Sequence, residues 1–332
     1  MLTIIKNSSN NEMTDPRKGK GKQELTIERL LSLLVYEWQL SRTSPMGTPI
    51  GGIERRGIET SIALKPLNMY ERGCPPNFGA FYDAAKSLQL HGLEDKKEAF
   101  QWYARSRLHY SCSTVCVAFV EFVVPELKKR GIEELKVVSA PHNSMISLNK
   151  IKVKAIFFKP EEGKVHAFRI QNILFGEQRQ VVEACGSHNN LQCSDTGMVF
   201  DPTLGQLTGS MKPATFLSSE SFAREFCGEL LHFVDAPDND VRDQRQRDVE
   251  MAKMTRKPAS HPKSIAKRVV DLFLSEESDE VARSRYCTNC LGKAADGKKL
   301  LRCARCNRSY YCSKYCQSLD WKSHKTVCCP KE

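Results

Sequence analysis

The stretch that decides the C-terminal fold is YYCSKYCQSLDWKSHKTVC, residues 310–328, which follows two Cys-x2-Cys pairs. With those pairs it supplies eight potential metal ligands: Cys287, Cys290, Cys303, Cys306, Cys312, Cys316, His324 and Cys328. Ligands separated by two or three residues can converge on one tetrahedral ion. Eight ligands in four pairs therefore predict two closed zinc sites, with no open position for a catalytic water.

A segment of this length cannot bury a sufficient apolar core, so metal binding has to supply much of its folding free energy. The distribution of cysteine supports a dedicated metal module. Eight of the 14 cysteines fall between 287 and 329, and the other six are spread over the first 286 residues. Cys329 is left over, either as a spare surface thiol or as an alternative ligand.

The segment resembles the MYND finger family over its whole length, about an eighth of the chain. The resemblance implies a cross-braced fold in which the first and third pairs bind one Zn²⁺ and the second and fourth bind the other. It also implies a shallow groove that binds short proline-containing peptides of a protein partner, lined by Gln317 and Trp321. From the residues alone, Trp321 could instead pack the terminal helix onto the rest of the finger, and Gln317 could be a solvated helix position.

Composition and charge favour a protein partner over nucleic acid or membrane. Of the net charge of +11, residues 287–329 contribute nine Lys/Arg against two Asp, and two Zn²⁺ with seven thiolates would lower that surplus. The sequence contains no stretch of about 18 or more uncharged apolar residues, so it predicts no membrane span. The N-terminus lacks the apolar core of a signal peptide. We therefore expect an intracellular protein of the cytosol or nucleus. The oligomeric state is left open.

The rest of the chain divides into three regions. Residues 1–22 are polar without apolar periodicity, which predicts a disordered tail. Residues 23–236 predict an α+β domain, and residues 237–285 a charged linker with a short helix at 265–274. The finger then occupies 286–330.

Within the α+β domain, apolar spacing predicts a helix at 23–42 and another at 111–130, interrupted near Pro125 and ended by Gly131. Runs rich in β-branched residues predict strands at 135–140, 152–158, 165–170 and 197–202, and a further helix is predicted near 219–233.

A second group of residues suggests thiol chemistry in this domain. Cys112 lies at the predicted start of a helix, where the helix dipole lowers the pKa of a thiol. His166 in a neighbouring strand is predicted to deprotonate it, and Asp201 at the end of another strand to orient the imidazole. Cys116, one turn after Cys112, is a rival nucleophile.

The order of Cys, His and Asp on helix, strand and strand resembles the papain-like group, particularly its transglutaminase-like branch. The resemblance rests on a helix-capping cysteine, the HAF strand that contains His166 and the DP strand end at Asp201. It implies a papain-like α+β fold. The sequence departs from the family pattern at Ser111, where Gly or Asn is usual.

Two functions remain open from the sequence. The preferred interpretation is an interaction protein, in which the finger recruits a partner and the α+β domain is not catalytic. The alternative is a thiol hydrolase or acyltransferase that uses Cys112, His166 and Asp201 and is targeted by the finger. Cys112 and Cys116 as buried apolar residues, His166 as an ordinary strand histidine and Asp201 as a turn residue would each fit the first interpretation.

Overall fold

The computed structural model describes residues 25–41, 50–56, 59–64, 77–87, 94–108, 112–138, 144–159, 166–172, 176–180, 187–226, 229–235, 262–275, 284–294, 298–326 and 328. The predicted tail over 1–22 lies outside these ranges, as do Ser111, Cys329 and most of the predicted linker over 237–285.

Helices and strands are mixed along the chain, as the sequence predicts. The helices are α1 (Ile27–Ser41), α2 (Phe78–Ser87), α3 (Lys96–Leu108), α4 (Cys112–Ala118), a π-helical turn (Phe119–Val123), α5 (Val124–Lys129), a 3-10 turn (Leu148–Lys150), α6 (Gly205–Thr208), α7 (Ser219–Phe226), α8 (Pro262–Leu274) and α9 (Lys314–His324).

The strands of the domain are β1 (Ile50–Arg56), β2 (Glu59–Leu64), β3 (Glu134–Lys136), β4 (Met145–Ser147), β5 (Ile151–Lys159), β6 (His166–Asn172), β7 (Gly176–Gln180), β8 (Ser187–Cys193), β9 (Val199–Asp201), β10 (Ala214–Phe216) and β11 (Glu229–Asp235). Strands β12 (Leu301–Arg302) and β13 (Tyr310–Tyr311) belong to the C-terminal finger. The largest sheet is antiparallel, with the order β10-β9-β8-β5-β11.

The predicted N-terminal helix is confirmed as α1. Its apolar residues recur with helical spacing, and Ile27, Leu30, Leu31 and Leu34 are all fully buried. The hydroxyl of Thr26 accepts a hydrogen bond from the backbone N–H of Arg29 at 3.3 Å, which caps the first turn. Burial of one apolar face thus fixes α1 in the main core.

The helix predicted at 111–130 is also present, with the predicted interruption. Pro125 lies in the first turn of α5, where its missing N–H costs little. The chain accommodates the proline by widening into the π-helical turn just before it. Gly131 then ends the helix at φ +77°, a left-handed conformation that favours glycine.

The short helix predicted at 265–274 is confirmed as α8, and it packs against α1 and the π-helical turn. Its buried side chains are Pro262, Ile265, Ala266, Val269, Val270 and Phe273. Arg268 also bonds to Glu37 of α1 at 3.0 Å. This helix is therefore part of the main core rather than a solvated segment.

The prediction of a helix near 219–233 is correct for its first half only. Residues 219–226 form α7, but residues 229–235 form β11, which pairs with β5 through contacts such as Phe233 with Ile156. The partner strand lies about 70 residues earlier in the chain, so local apolar spacing alone did not reveal the pairing.

A second sheet holds the predicted strand of His166. Its order is β1-β2-β6-β7, with β2 and β6 parallel. His166 is the first residue of β6 and pairs with Thr60 of β2. It therefore lies on a different sheet from Asp201, the last residue of β9.

The finger packs directly on α2 and α3. One core cluster joins Phe78, Tyr103 and Met211 to the metal-site cysteines. The amide of Asn77 donates to the carbonyl of Lys293 at 2.7 Å. A side chain at Gly79 would meet Ser313 at 2.8 Å, so this glycine allows the two backbones to approach closely.

Replacing Phe273 by Ala should show that α8 belongs to the main core. Phe273 is fully buried, so the substitution should lower the free energy of unfolding by about 3 kcal/mol or more. Urea denaturation followed by circular dichroism measures this change. Lys267→Ala, at an exposed position of the same helix, is the control and should leave the midpoint nearly unchanged. Equal midpoints for the two variants would contradict the packing of α8.

Candidate metal centre and thiol site

The eight predicted ligands of the finger converge into two clusters. One contains Cys287, Cys290, Cys312 and Cys316, and the other Cys303, Cys306, His324 and Cys328. Within each cluster the four ligand atoms all lie within 4.8 Å of one another. The pairing is therefore first with third and second with fourth, which is the cross-braced arrangement that the family resemblance implies.

The distances fit tetrahedral zinc. With Zn–S bonds of about 2.3 Å, tetrahedral geometry places ligand sulfurs about 3.8 Å apart. Observed separations are 3.6 Å between Cys290 and Cys312 and 3.9 Å between Cys303 and Cys328. His324 directs Nε2 at the sulfur of Cys306, 3.5 Å away. Sets of four thiolates, or of three thiolates and one imidazole, are typical of structural zinc sites.

The first two ligand pairs sit in equivalent turns. In each, the residue after the second cysteine donates its N–H to the carbonyl of the first, at 2.9 Å for both Leu291 and Asn307. Both residues have positive φ, 51° and 55°. Such a conformation is costly for Leu. In each turn the residue directly follows the second ligand of a pair, so metal binding by that pair stabilises the turn.

The second half of the finger supplies its ligands from α9 and the residues beside it: Cys312 lies between β13 and α9, and Cys328 follows α9. Ser313 caps α9, since its hydroxyl accepts from the N–H of Cys316 at 3.3 Å. Cys316 and His324 are buried on the inner side of α9. The hydroxyl of Ser309 lies 3.4 Å from Nδ1 of His324. This contact orients the imidazole so that Nε2 faces the other ligands of its cluster.

The two residues expected to line a peptide groove lie on one face of α9. Gln317 is half-buried and Trp321, four residues later, is 42% exposed. The indole packs at 6.1 Å from the ring of His324. Trp321 therefore rests partly on the zinc site while offering the rest of its surface to solvent.

Sequence comparison supports the same identification. The family model of the MYND finger matches residues 287–328, and the C-terminal segment is a MYND finger with two zinc-binding sites. Human Egl nine homolog 1 is 52% identical over 44 residues, 13% of this chain and 9% of that protein. SET domain-containing protein 14 of Caenorhabditis elegans is 49% identical over 43 residues, again 13% of this chain and 9% of its own length.

Deformed epidermal autoregulatory factor 1 of Drosophila melanogaster is 33% identical over 54 residues, 16% of this chain and 8% of that protein. The chain thus spans less than a tenth of these relatives, and each match covers at most 16% of the chain. No solved structure matches the chain. Among the residues that the structure describes, no helix is both long and apolar enough to cross a membrane.

The second site lies where α4 meets β8. Cys112 is the first residue of α4 and is partly exposed, while Asp201, at the end of β9, is completely buried. The histidine between them is His188 of β8: its Nε2 lies 2.6 Å from Oδ2 of Asp201, and its ring lies close enough to Cys112 to lower the pKa of that thiol. His166 is replaced by His188 in this group, because β6 belongs to the other sheet.

The start of α4 lies beside the first residues of β8, with which β9 does not pair. Strands β8 and β9 pair only at Leu191 with Phe200 and at Gln192 with Val199. Nearer the start of β8, the carbonyl of Asn189 instead accepts a hydrogen bond from the thiol of Cys116 at 3.5 Å, and the Asn189 N–H contributes to lowering the pKa of Cys112. The divergence of β9 from β8 thus makes room for the thiols.

The buried carboxylate is held in one orientation. The N–H of Thr203 donates to Oδ1 of Asp201 at 2.9 Å, and the Thr203 hydroxyl does so at 3.3 Å. Oδ2 is then left for His188, and Nδ1 of the imidazole is left to face Cys112. The ring of His188 also lies parallel to Phe222, with centroids 6.3 Å apart.

The electrostatics favour a thiolate and an imidazolium. Burial would lower the pKa of His188, but the Asp201 carboxylate and the Cys112 thiol outweigh it and raise the pKa to about 10. For Cys112 burial acts to raise the pKa, yet the bond and charge of His188 and the N–H of Asn189 lower it below the ordinary value. Burial and the nearby Asp201 raise the pKa of Cys116 instead.

Sequence reasoning missed His188 because its strand is mostly polar. The segment SHNNLQC, residues 187–193, contains no β-branched residue and no aromatic one. Leu191 and Cys193 do alternate with polar neighbours and face the core. That short alternation was the available signal, whereas KVHAFRI around His166 looks more like a typical strand.

Removing one ligand should reduce the metal content. Native mass spectrometry of the full chain should report two zinc ions, and Cys306→Ser should hold no more than one, because its site loses one of three thiolates. Cys112→Ser is the matched control and should retain both, since Cys112 lies outside the two clusters. Two zinc ions in Cys306→Ser would refute the second site.

Proposed function

We propose that the finger binds short proline-containing peptides of a protein partner along the face of α9 that carries Gln317 and Trp321. The observation that carries this proposal is the 42% exposure of Trp321 on a helix that the zinc ligands hold rigidly. An exposed indole beside an amide suits an extended peptide, because the ring packs on proline and the amide bonds to the peptide backbone.

The coordination of the zinc sites and the distribution of the finger among proteins agree with this proposal. Both zinc sites have four protein ligands, so neither has an open coordination position for a catalytic water. The proteins that match the finger share little more than this segment with the chain. A segment recurring in otherwise different proteins is typical of an interaction module.

Trp321→Ala should abolish peptide binding and leave the zinc content unchanged, because the indole contacts His324 without ligating the metal. Binding can be measured by fluorescence polarisation of labelled proline-containing peptides selected on the wild-type chain. Lys322→Ala changes the next, exposed residue of α9 and should bind normally. Undiminished binding by the Trp321 variant would rule out this groove.

As a second function, we propose that the α+β domain is a thiol hydrolase or acyltransferase of papain-like, transglutaminase-like type, with Cys112, His188 and Asp201 as its catalytic residues. The observation in its favour is the 2.6 Å bond between His188 and the buried Asp201, with Cys112 at the start of α4 beside this pair. Exposure falls from Cys112, which is partly exposed, to His188 at 3% and Asp201 at 0%. The nucleophile is therefore the most exposed member of the group.

The chemistry follows from this arrangement. The thiolate of Cys112 attacks an acyl carbon and forms a thioester, while the imidazolium of His188 gives its proton to the departing amine, alcohol or thiol. Neutral His188 then takes a proton from water or an amine, which attacks the thioester and releases Cys112. Asp201 keeps Nε2 protonated throughout, so Nδ1 performs the proton transfer.

Iodoacetamide labelling of Cys112, followed by mass spectrometry of its peptide, tests this ion pair. Because the pKa of Cys112 is lowered, labelling at pH 6 should be faster than that of an ordinary cysteine, which is protonated at this pH. His188→Ala should slow labelling at pH 6 by about tenfold or more, as expected for a rise of at least one pKa unit.

The matched control is His166→Ala, which removes the histidine of the other sheet and should leave the labelling rate unchanged. A wild-type rate no higher than that of an ordinary free thiol would remove the basis for the thiol function. A loss of labelling in the His166 variant, but not in the His188 variant, would restore the assignment predicted from the sequence.

A further inference from the structure

The loop after Asp201 connects the thiol site to the finger. It begins at β9, whose last residue is held to Thr203 by two hydrogen bonds to Oδ1. Within a few residues it forms α6, which packs on α3. Whatever fixes the far end of this loop also limits the position of the Asp201 carboxylate.

The middle of the loop has little freedom to move. Gly209 has a φ of +73°, and a side chain there would come 2.6 Å from the backbone of Gln101 in α3. Its N–H donates to the carbonyl of Gly205 at 2.9 Å. The loop is therefore pressed against α3 at its centre, so a displacement at one end is transmitted to the other.

The far end of the loop enters the finger. Met211 is completely buried in the cluster that contains the metal-site cysteines. Next to it, Nζ of Lys212 lies 2.6 Å from Oδ1 of Asp320 in α9. Asp320 is 3% exposed, and its other oxygen accepts from the hydroxyl of Tyr311 at 2.9 Å. A carboxylate this deeply buried needs a cation beside it, and Lys212 provides one.

We infer that Lys212 and Asp320 are positioning residues of the thiol site: the finger, through this ion pair, holds the 202–211 loop so that Asp201 stays against His188. This inference rests on the proposed thiol function. Neither residue touches the reacting atoms; they act through the loop. The finger is then a structural component of the acyl-transfer site as well as a peptide-binding module.

The test compares labelling of Cys112 by iodoacetamide across pH in full-length, zinc-loaded variants, with zinc counted by native mass spectrometry. Lys212→Met should keep two zinc ions, lower the labelling rate at pH 6 about tenfold and move the pH profile toward that of an ordinary thiol. The groups that face Cys112 and set this profile are His188, Asp201 and Cys116.

Lys212→Arg, which keeps the cation, should recover most of the wild-type rate. Arg130→Gln breaks an ion pair of similar length, 2.7 Å to Asp271, away from both sites, and should not change the profile. If Lys212→Met loses zinc, the Asp320→Asn variant is tested instead. Its amide has the size of the carboxylate and can still accept a hydrogen bond from Tyr311.

The outcomes separate the two proposals. A slow wild-type thiol refutes the thiol function itself. A fast wild-type thiol with an unchanged profile in zinc-loaded Lys212→Met or Asp320→Asn refutes only the positioning role. Slow labelling confined to variants that have lost zinc also refutes it, since the effect would then follow from unfolding of the finger rather than from the ion pair.

Discussion

Tetrahedral coordination of two metal ions by interleaved ligand pairs is the constraint on which the C-terminal structure depends. In its described residues the finger has two strands of two residues each and one helix of 11 residues, too little to bury a core without metal. Because each site draws ligands from distant parts of the segment, the pairing holds the turns at Leu291 and Asn307, both at positive φ, in place. It also fixes the direction of α9.

Once α9 is fixed, consecutive residues acquire different roles. Cys316, Asp320 and His324, spaced by four, are buried on its inner side. Trp321, about 100° further round the helix than Asp320, is 42% exposed. One helix can therefore ligate zinc, bond to Lys212 of the domain and still present an aromatic surface for a peptide.

The eight ligands of the finger could be predicted from residue type and local spacing, while their pairing into two sites was implied by the family resemblance. Local sequence also predicted α1, α8 and the interruption before Pro125, where apolar periodicity or proline geometry acts within a few residues. Prediction failed where pairing is remote. Residues 229–235 lie in a strand because β5 lies beside them, and nothing in their own spacing required it.

In the thiol site, too, features set by local sequence were predicted and a feature set by remote strand pairing was not. Cys112 was predicted from its place at a helix start and Asp201 from its place at a strand end, both local features. The partner histidine depends instead on which strand runs between β9 and β5, which is a property of sheet order. A buried polar strand such as β8 is costly unless its polar side chains find partners. His188 finds one in Asp201 at 2.6 Å and Gln192 finds one in Ser219 at 2.7 Å, whereas the buried side-chain amide of Asn190 has no hydrogen-bond partner among the residues that the structure describes. Unusual polarity in a buried strand is thus itself a sign of a built site, although it is also the property that hid this strand from prediction by apolar pattern.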